Sequence, residues 1–393
     1  MRHKKYVALV VSLVMVASTI LLALPLGCGP AVPEEPIKIG VLLDYSGIAA
    51  GSQLYNETGM RLKLDEIGWE IAGREVELIT ADDAGDPVRG AEMAQRLVEV
   101  NNVDIVAGPI WGHVALAVSP IFAESQTPCV FVSVHPKEVI DSGAGYAFLP
   151  KGTMPGASYY AGVYAYEEMG YRTATVLYDD YATGEALTIG FIEAFEERGG
   201  TIVQIQKPPL LTFDFAPYMA SMEEADVCAM WIIPDELPPF YRQYYEYGLD
   251  MPIIYTYLEV WHEIMADVGD LVIGTVGQYS YSSAIDTDVN NRFLESLPEG
   301  EESPVLIYQA AGYMVASLIV EALEATNGDT TPEKLIEALE EVTVDVPEGM
   351  ISLNSEGIGV GDVPILQVVK EGDRYDTEVL KIYEQVVREA PWE

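Results

Sequence analysis

Positive charge is scarce in this sequence. Lys and Arg number 21 against 62 Asp and Glu, which gives a formal net charge of −41 over 393 residues. Binding to nucleic acid needs clustered cations, so the composition excludes a nucleic-acid partner and disfavours an anionic membrane surface. Hydrophobic residues nevertheless make up 49% of the chain, which is enough for packed cores and excludes disorder. The length suggests about two domains.

Cysteine and histidine are also rare, with three and four residues. Three cysteines do not make a disulfide framework. Cys129 and Cys228 lie in the apolar runs TPCVFVSV and DVCAMWII, which predicts two buried, reduced thiols in different strands. The sequence contains no CxxC pair, GxSxG elbow, P-loop or HExxH motif. We therefore expect no metal, no cofactor and no enzyme activity.

The N-terminus has the pattern of an export signal. Residues 2–5 are basic, residues 6–26 are almost wholly apolar, and LPLGC ends at Cys28 before a polar, proline-rich stretch. This resembles a bacterial lipoprotein signal, although Pro25 stands where leucine is usual. The resemblance implies a signal peptide over 1–27, lipidation of Cys28 and a linker over 28–36. The alternative is an uncleaved membrane anchor, and both place the remaining chain outside the cytoplasm.

From residue 37 the chain alternates between apolar strands and amphipathic helices. Strands are predicted at 37–43, 74–80, 103–108 and 128–133, and the pattern restarts with strands at 173–179, 201–206, 227–233 and 251–257. Strands that are apolar throughout are typical of parallel sheets covered by helices on both faces. The sequence thus predicts an α/β protein with two doubly wound halves. The uncharged run 305–320 is predicted to be a core helix, and the tail from residue 349 to be two strands and a short final helix.

Several segments together resemble the leucine/isoleucine/valine-binding protein family. They are YSGIAAGSQLYNETGMRLKLDEI (45–67), ADDAGDPVRGAEMAQRLVEVNNVDIVAGP (81–109), LYDDYATGEAL (177–187) and YQAAGYMVASLIVEALEAT (308–326). The family comprises type I solute-binding proteins of ABC transporters. The resemblance implies two lobes joined by three hinge strands, with a ligand between them. Lobe one is expected to comprise 37–152 and 282–349, and lobe two 153–281 and 350–393.

In lobe one, the resemblance places ligand contacts in the loops that follow strands. The family usually has a hydroxyl residue after the strand VDIVAG, but this chain has Trp111 and His113 there. After the next strand it has Ser133 and His135. These departures argue against a simple α-amino acid as the ligand. Each histidine could equally be an ordinary loop residue.

Two serines and three acids of lobe one have structural alternatives. Ser46 and Ser52 lie in the glycine-rich first loop and could line the entrance or serve the turn. Asp82, Asp83 and Asp86 match a family stretch in which the acids have turn and cap roles, and we expect that here rather than a metal site.

In lobe two, the resemblance places Tyr181 and Thr183 in a ligand-facing loop. The second aromatic position of the family falls near Asp235 and Glu236, either of which could instead cap the following helix. The acidic partner of a ligand amino group falls near Tyr257 or Glu259.

These residues indicate a ligand with an acceptor end toward lobe one and a donor or cationic end toward lobe two. Amino acids, their derivatives and amides fit this description. We expect a monomeric, lipid-anchored, extracytoplasmic protein that delivers its ligand to an ABC permease. The alternative is a ligand-sensing domain of a signalling system on the same fold.

Overall fold

A computed structural model describes residues 35–47, 50–259, 262–297 and 306–392, apart from the side chains of Ser52, His262 and Glu263. The predicted signal peptide, Cys28 and most of the linker lie outside these residues, as does the side chain of Ser52. Residues 36–393 form one compact unit.

The first sheet has six strands in the order β2-β3-β1-β4-β5-β6. Its strands are β1 (Ile37–Leu43), β2 (Glu70–Ile71), β3 (Arg74–Asp82), β4 (Ile105–Ala107), β5 (Cys129–Val130) and β6 (Ala147–Phe148). All pairings are parallel except the β2–β3 hairpin. The helices between them are α1 (Ala50–Glu66), α2 (Pro87–Arg96) with a π-helical continuation over Leu97–Asn101, α3 (Gly112–Ser125) and α4 (Glu138–Gly143).

The second sheet has a parallel centre and an antiparallel side. Its parallel strands are β7 (Thr173–Tyr178), β8 (Thr201–Gln206), β9 (Val227–Trp231), β10 (Ile253–Tyr255) and β11 (Val276–Gln278). The antiparallel strands are β12 (Thr343–Val346), β13 (Gly349–Leu353), β14 (Gly359–Glu371) and β15 (Arg374–Val387). The order is β12-β13-β14-β11-β10-β9-β7-β8, with β15 paired to β14.

The remaining helices lie between β6 and β12 in the sequence. They are α5 (Gly156–Glu167), α6 (Ala182–Glu197), α7 (Ala216–Ala220), α8 (Leu237–Glu246), α9 (His262–Val268), α10 (Asp288–Ser296), α11 (Leu306–Ala325) and α12 (Pro332–Glu341). Two 3₁₀ turns lie at Pro234–Glu236 and Gly269–Val272. The two doubly wound halves predicted from the sequence are confirmed.

The prediction for the tail was wrong. The described chain after residue 349 forms three strands and no helix. Residues 374–387 alternate in burial along much of their length, which is the pattern of a strand with one covered face. Because β14 enters antiparallel to β11, the tail extends the second sheet with a long hairpin.

Helix α11 is the one described helix that is long and apolar enough to cross a membrane, and 83% of its most apolar window is buried in the protein. It crosses α1 at a very close contact. A Cβ on Gly312 would lie 1.9 Å from the carbonyl oxygen of Asn56, and one on Gly59 equally close to that of Gln309. Two facing glycines thus allow backbone-to-backbone packing, and the predicted core helix is confirmed.

Candidate functional site

Polar side chains collect where the parallel strands of each sheet end. We call the loops after β1, β3 and β4, together with Asp82 at the end of β3 (residues 44–47, 82–86 and 108–113), the first wall. The loops after β7, β9 and β10 (residues 179–183, 232–236 and 256–259) are the second wall. In open α/β sheets the carboxyl edge of the strands is where ligands bind.

Trp111 and His113 form a plate of two rings in the first wall. The Trp111 indole N–H donates to Asp44 Oδ2 over 3.1 Å. His113 Nε2 lies 2.8 Å from the Gly85 carbonyl oxygen and, since a carbonyl only accepts, carries the proton. The ring centroids are 5.9 Å apart. Trp111 is half-buried and His113 is exposed, so neighbouring loops hold the plate while His113 stays open to solvent.

The chain reaches this plate through Gly108, which has φ 103°. A Cβ at this position would lie 2.0 Å from the carbonyl oxygen of Leu42. Only glycine combines that conformation with that approach. The loop that leads from β4 to α3 therefore begins directly against the end of β1.

Ser46 has a structural partner in the first wall. Its hydroxyl donates to Asp82 Oδ2 over 2.6 Å, and the Tyr45 N–H donates to Asp82 Oδ1 over 2.9 Å. Arg89 pairs with the same carboxylate at 2.7 Å. The arrangement agrees with the turn role considered for Ser46.

The other acids of this stretch also have local roles. Asp86 Oδ1 accepts from the N–H groups of Val88 and Arg89, which confirms it as the cap of α2. Asp83 Oδ1 accepts from the Gly85 N–H over 2.7 Å, and burial raises the pKa of Asp83 to about 6. Among the described residues, no group of His, Cys, Asp and Glu is arranged to hold a metal ion.

His135 lies in the interior beyond β5 and is fully buried. Its backbone N–H donates to Gly152 and its carbonyl accepts from Met154, and its ring packs edge-on against Phe131 at 5.1 Å. Neither ring nitrogen has a partner in hydrogen-bonding geometry among the described residues. Burial lowers the pKa of His135 to about 3, so the imidazole is neutral. Ser133, two residues earlier, is half-buried.

In the second wall, Tyr181 precedes α6 and its ring lies 6.0 Å from that of Trp231. Burial raises the pKa of Tyr181, and the Thr183 hydroxyl acts in the opposite direction. Both predicted residues are half-buried and adjacent. The structure therefore brings Tyr181 and Thr183 together at one strand end.

A buried carboxyl pair occupies the base of the second wall. Asp179 follows β7 and accepts from the Ile233 N–H over 3.0 Å, and Glu236 follows β9. Asp179 Oδ1 and both oxygens of Glu236 have no donor in full hydrogen-bonding geometry among the described residues, and both side chains are fully buried. The backbone N–H groups of Thr212 and Leu211 still favour the charged form of Glu236 and so oppose the rise of its pKa. Burial and the neighbouring Asp179 raise the pKa of Glu236 to about 8, so the two carboxyl groups share a proton.

Neither acid predicted here caps the following helix. Glu236 immediately precedes α8 without a side-chain capping bond, and Asp235 is exposed in the 3₁₀ turn. No local pattern pointed to Asp179, because its pairing with Glu236 requires β7 and β9 to be neighbours in the sheet.

Glu259 and Tyr257 lie at the end of β10. The Tyr257 ring packs against Tyr279 at 4.8 Å, and Lys151 Nζ lies 5.0 Å from the centre of the Tyr279 ring. Burial raises the pKa of Glu259 to about 7, and Lys151 acts against this rise. Glu259 keeps some solvent exposure, whereas Tyr257 is buried.

A second group that sequence reasoning missed lies beside Glu259. Lys151 Nζ is 3.6 Å from Glu348 Oε1, and Arg388 Nη1 is 3.2 Å from Glu348 Oε2. All three side chains are at most 3% exposed. The scarcity of Lys and Arg makes each cation of this chain notable, but the sequence does not show which of them are buried or which carboxylates they contact. We call Lys151, Glu348 and Arg388 the hinge cluster.

Comparison with known proteins agrees with this geometry. Residues 36–373 match the periplasmic binding protein family. The chain is 23% identical over 357 residues to Leu/Ile/Val-binding protein homolog 6 of Brucella abortus, covering 88% of this chain and 91% of the relative.

Solved structures share the whole fold. An ABC transporter substrate-binding protein from Sphaerobacter thermophilus is 29% identical with a TM-score of 0.84, covering 91% of this chain and 100% of that one. A solute-binding protein from Rhodopseudomonas palustris BisB5, solved with 3,4-dihydroxybenzoic acid, is 25% identical with a TM-score of 0.80, covering 91% and 99%. These relatives are transport proteins rather than enzymes. The chain therefore belongs to the periplasmic binding protein family, as an extracytoplasmic solute-binding protein of the ABC-transporter type that binds a small ligand.

Proposed function

We propose that this protein captures a small polar solute between the two walls and delivers it to an ABC permease. The observation that carries this proposal is the state of Glu259. It is a partly exposed carboxylate at a strand end of the second wall, with no side-chain hydrogen bond to any described residue. A carboxylate in this position gains most from a donor or cation supplied by a ligand.

The ligand's other end faces the first wall. Helix α3 begins there at Gly112, and a helix N-terminus favours an anion or acceptor. The Trp111 ring offers a flat apolar surface, and the protonated Nε2 of His113 is held by Gly85. One relative is named for leucine, isoleucine and valine, and another was solved with 3,4-dihydroxybenzoic acid. Each of these compounds has a carboxylate, which agrees with an acceptor end facing the first wall. The proposed class is a small solute with a carboxylate or amide at one end and a donor at the other.

A thermal-shift screen tests this class. The panel contains branched-chain and polar amino acids, short amides and hydroxybenzoic acids, with simple dicarboxylates as the negative set. A ligand at 100 times its Kd adds about 2.7 kcal/mol of stability. Stabilisation by dicarboxylates alone would contradict the donor end, and no stabilisation by any compound would contradict the class.

We also propose that Cys28 carries lipid and tethers the protein outside the cytoplasm. The support is the basic, apolar and LPLGC order of the N-terminus. Labelling cells with a radioactive fatty acid should mark the wild type and not Cys28→Ser. Equal labelling of both would contradict the lipid anchor.

A further inference from the structure

The chain passes between its two halves around Glu348. Residues 149–155, which we call the crossing segment, lead from β6 of the first sheet to α5 beside the second. Another passage follows β11 and leads to α11, which packs against α1 of the first half. The Lys151 ammonium of the crossing segment lies 3.6 Å from Glu348 Oε1, and the Ser280 hydroxyl after β11 lies 3.5 Å from the same oxygen. We call this region the crossing point.

Residues 388–392, which follow β15 and which we call the strap, begin at the crossing point. The Arg388 carbonyl oxygen accepts from the Thr153 N–H over 2.9 Å. A Cβ on Gly152 would lie 1.9 Å from the same oxygen, so the strap and the crossing segment touch through their backbones. The Arg388 guanidinium also donates to Glu348 Oε2 over 3.2 Å. The start of the strap is therefore held by both backbone and side-chain bonds.

The next residue of the strap contacts the first half. Glu389 forms an ion pair with Lys137, which directly precedes α4. The two side chains are 14% and 24% exposed, so water screens this pair less than a fully exposed one. Lys137 has a second carboxylate, that of Glu356, at 3.5 Å, but Glu356 is 57% exposed and lies outside the strap.

Two further residues of the strap contact the second half. Ala390 is 2% exposed and belongs to one buried apolar cluster with Tyr159 and Val163 of α5. The ring of Trp392 lies 5.7 Å from that of Tyr159. Helix α5 is itself fixed to β11 by two side-chain hydrogen bonds of Gln278. Within five residues, the strap thus contacts the crossing point and both halves.

We propose that the strap is a further connection between the two halves and stabilises the lobe arrangement of this structure. Two-lobed binding proteins close around a ligand by rotation about a hinge. At most about 11 Å of extended chain separates Glu389 from Trp392, so the strap has little slack. A rotation that moves Lys137 away from Tyr159 must therefore break one of the two contacts. The proposal concerns the equilibrium between lobe arrangements and holds for any ligand.

The test uses no ligand, so its failure is distinguishable from failure of the capture proposal. Spin labels are placed in the full-length chain carrying Cys28→Ser, at Val100→Cys in the first half and Tyr247→Cys in the second. Both positions are exposed, whereas Cys129 and Cys228 are buried. Double electron–electron resonance then gives the distribution of distances between the halves. The reference population is the one at the separation found in this structure.

Glu389→Gln removes the contact of the strap with the first half. We expect it to lower the ratio of the reference population to all other populations by about threefold or more. Trp392→Ala removes the ring contact with the second half and should lower the ratio similarly. Because a connection needs both of its ends, the double variant should lower it no further than the stronger single variant. Glu356→Gln, which removes the other carboxylate near Lys137, is the matched control and should leave the ratio unchanged.

The proposal is overturned if either Glu389→Gln or Trp392→Ala leaves the distribution of the wild type unchanged. It is equally overturned if their effects add in the double variant, or if Glu356→Gln has the same effect. A second comparison uses the Lys137→Met background, in which Glu389→Gln should change nothing, and a change that persists there contradicts the connection. Lys137 and Glu389 are both partly exposed, so this comparison decides alone should Trp392→Ala not fold.

Discussion

The two walls treat their acidic side chains in opposite ways. In the first wall, Asp44 accepts from an indole, and Asp82 from a backbone N–H, a hydroxyl and a guanidinium. In the second wall, Asp179 and Glu236 share a proton, and Glu259 has only the attraction of Lys151. Among the described residues, one buried acid oxygen of the first wall, Asp83 Oδ2, has no donor in hydrogen-bonding geometry, whereas the second wall has three such oxygens, on Asp179 and Glu236.

This difference assigns different tasks to the walls. Satisfied hydrogen bonds fix side chains in place before a ligand arrives, which lowers the entropic cost of binding. An acceptor without a donor instead rewards a ligand that brings one, and rejects an analogue that lacks it. We therefore expect the first wall to set shape and the second wall to set chemical specificity.

The largest effect on ligand affinity is expected from Glu259→Gln in the second wall. Losing a charged acceptor should weaken binding of a donor-bearing ligand by about 1.5–3 kcal/mol, or about 10- to 150-fold. Because the pKa of Glu259 is about 7, the affinity of the wild type should fall as the pH drops below that value, and the variant should show no such dependence. Calorimetry across this pH range, with a ligand from the screen, checks both. Equal affinities of the wild type and Glu259→Gln would show that Glu259 does not determine specificity.

The corresponding change in the first wall is Trp111→Ala. It should weaken binding by about 1–3 kcal/mol, because the ring surface that covers the ligand is lost. Asp44→Asn, which changes the acceptor of the indole N–H and of the Gly47 N–H, should have a smaller effect and no pH dependence. Titration calorimetry on the same ligand measures all three proteins. An unchanged affinity for Trp111→Ala would show that the plate does not contact the ligand.

The carboxyl pair predicts an effect on stability rather than on binding. The pKa of Glu236 rises from its ordinary 4.5 to about 8 in the folded protein, so its bound proton stabilises the fold at low pH. That contribution is lost as the pH rises from about 4.5 through 8, at up to about 1.4 kcal/mol per pH unit for one proton.

Glu236→Gln keeps a neutral group and should flatten this dependence, as measured by urea unfolding at several pH values. Asp235→Asn is the matched control, since its side chain is exposed, and should retain the slope of the wild type. A slope unaffected by Glu236→Gln would mean that the pair does not share a proton.

The smallest effect is expected where the two halves are alike. Cys129 in β5 and Cys228 in β9 are both free and fully buried, and burial raises the pKa of each thiol. Neither should react with an alkylating reagent in the native protein, and both should react after denaturation. Mass spectrometry of the unreduced protein counts the modified thiols. A disulfide, or one thiol that reacts natively, would contradict this symmetry.

Much of the fold was predictable because its signals are local. The apolar runs gave β1 and β8 with their observed bounds, and Asp86 followed by proline gave the start of α2. The hinge cluster was not predictable, since Lys151, Glu348 and Arg388 are distant in sequence and each is an ordinary charged residue alone. The carboxyl pair depends likewise on strand order, which no local pattern encodes.

The site residues were predicted through family likeness more than through chemistry. Tyr181, Thr183 and Glu259 fall at strand ends of the second wall, and Trp111 and His113 in the first. His135 was placed at a similar loop, but its backbone pairs with Gly152 and Met154, so the ring points to no open surface. Sequence position alone does not distinguish a loop from the start of a crossing segment.

Strand β14 begins at the crossing point and ends at the far side of the second half. Gly359, its first residue, donates to the Leu149 carbonyl and accepts from the Arg388 N–H. At about 3.3 Å per residue, the 13 residues of the strand extend for about 43 Å. Because β14 is hydrogen-bonded to β11, β13 and β15, its two ends move together with the second sheet. A small rotation of this sheet about the crossing point therefore displaces Glu371 much further than Gly359, so a movement beside the ligand site is largest at a distant surface of the second half.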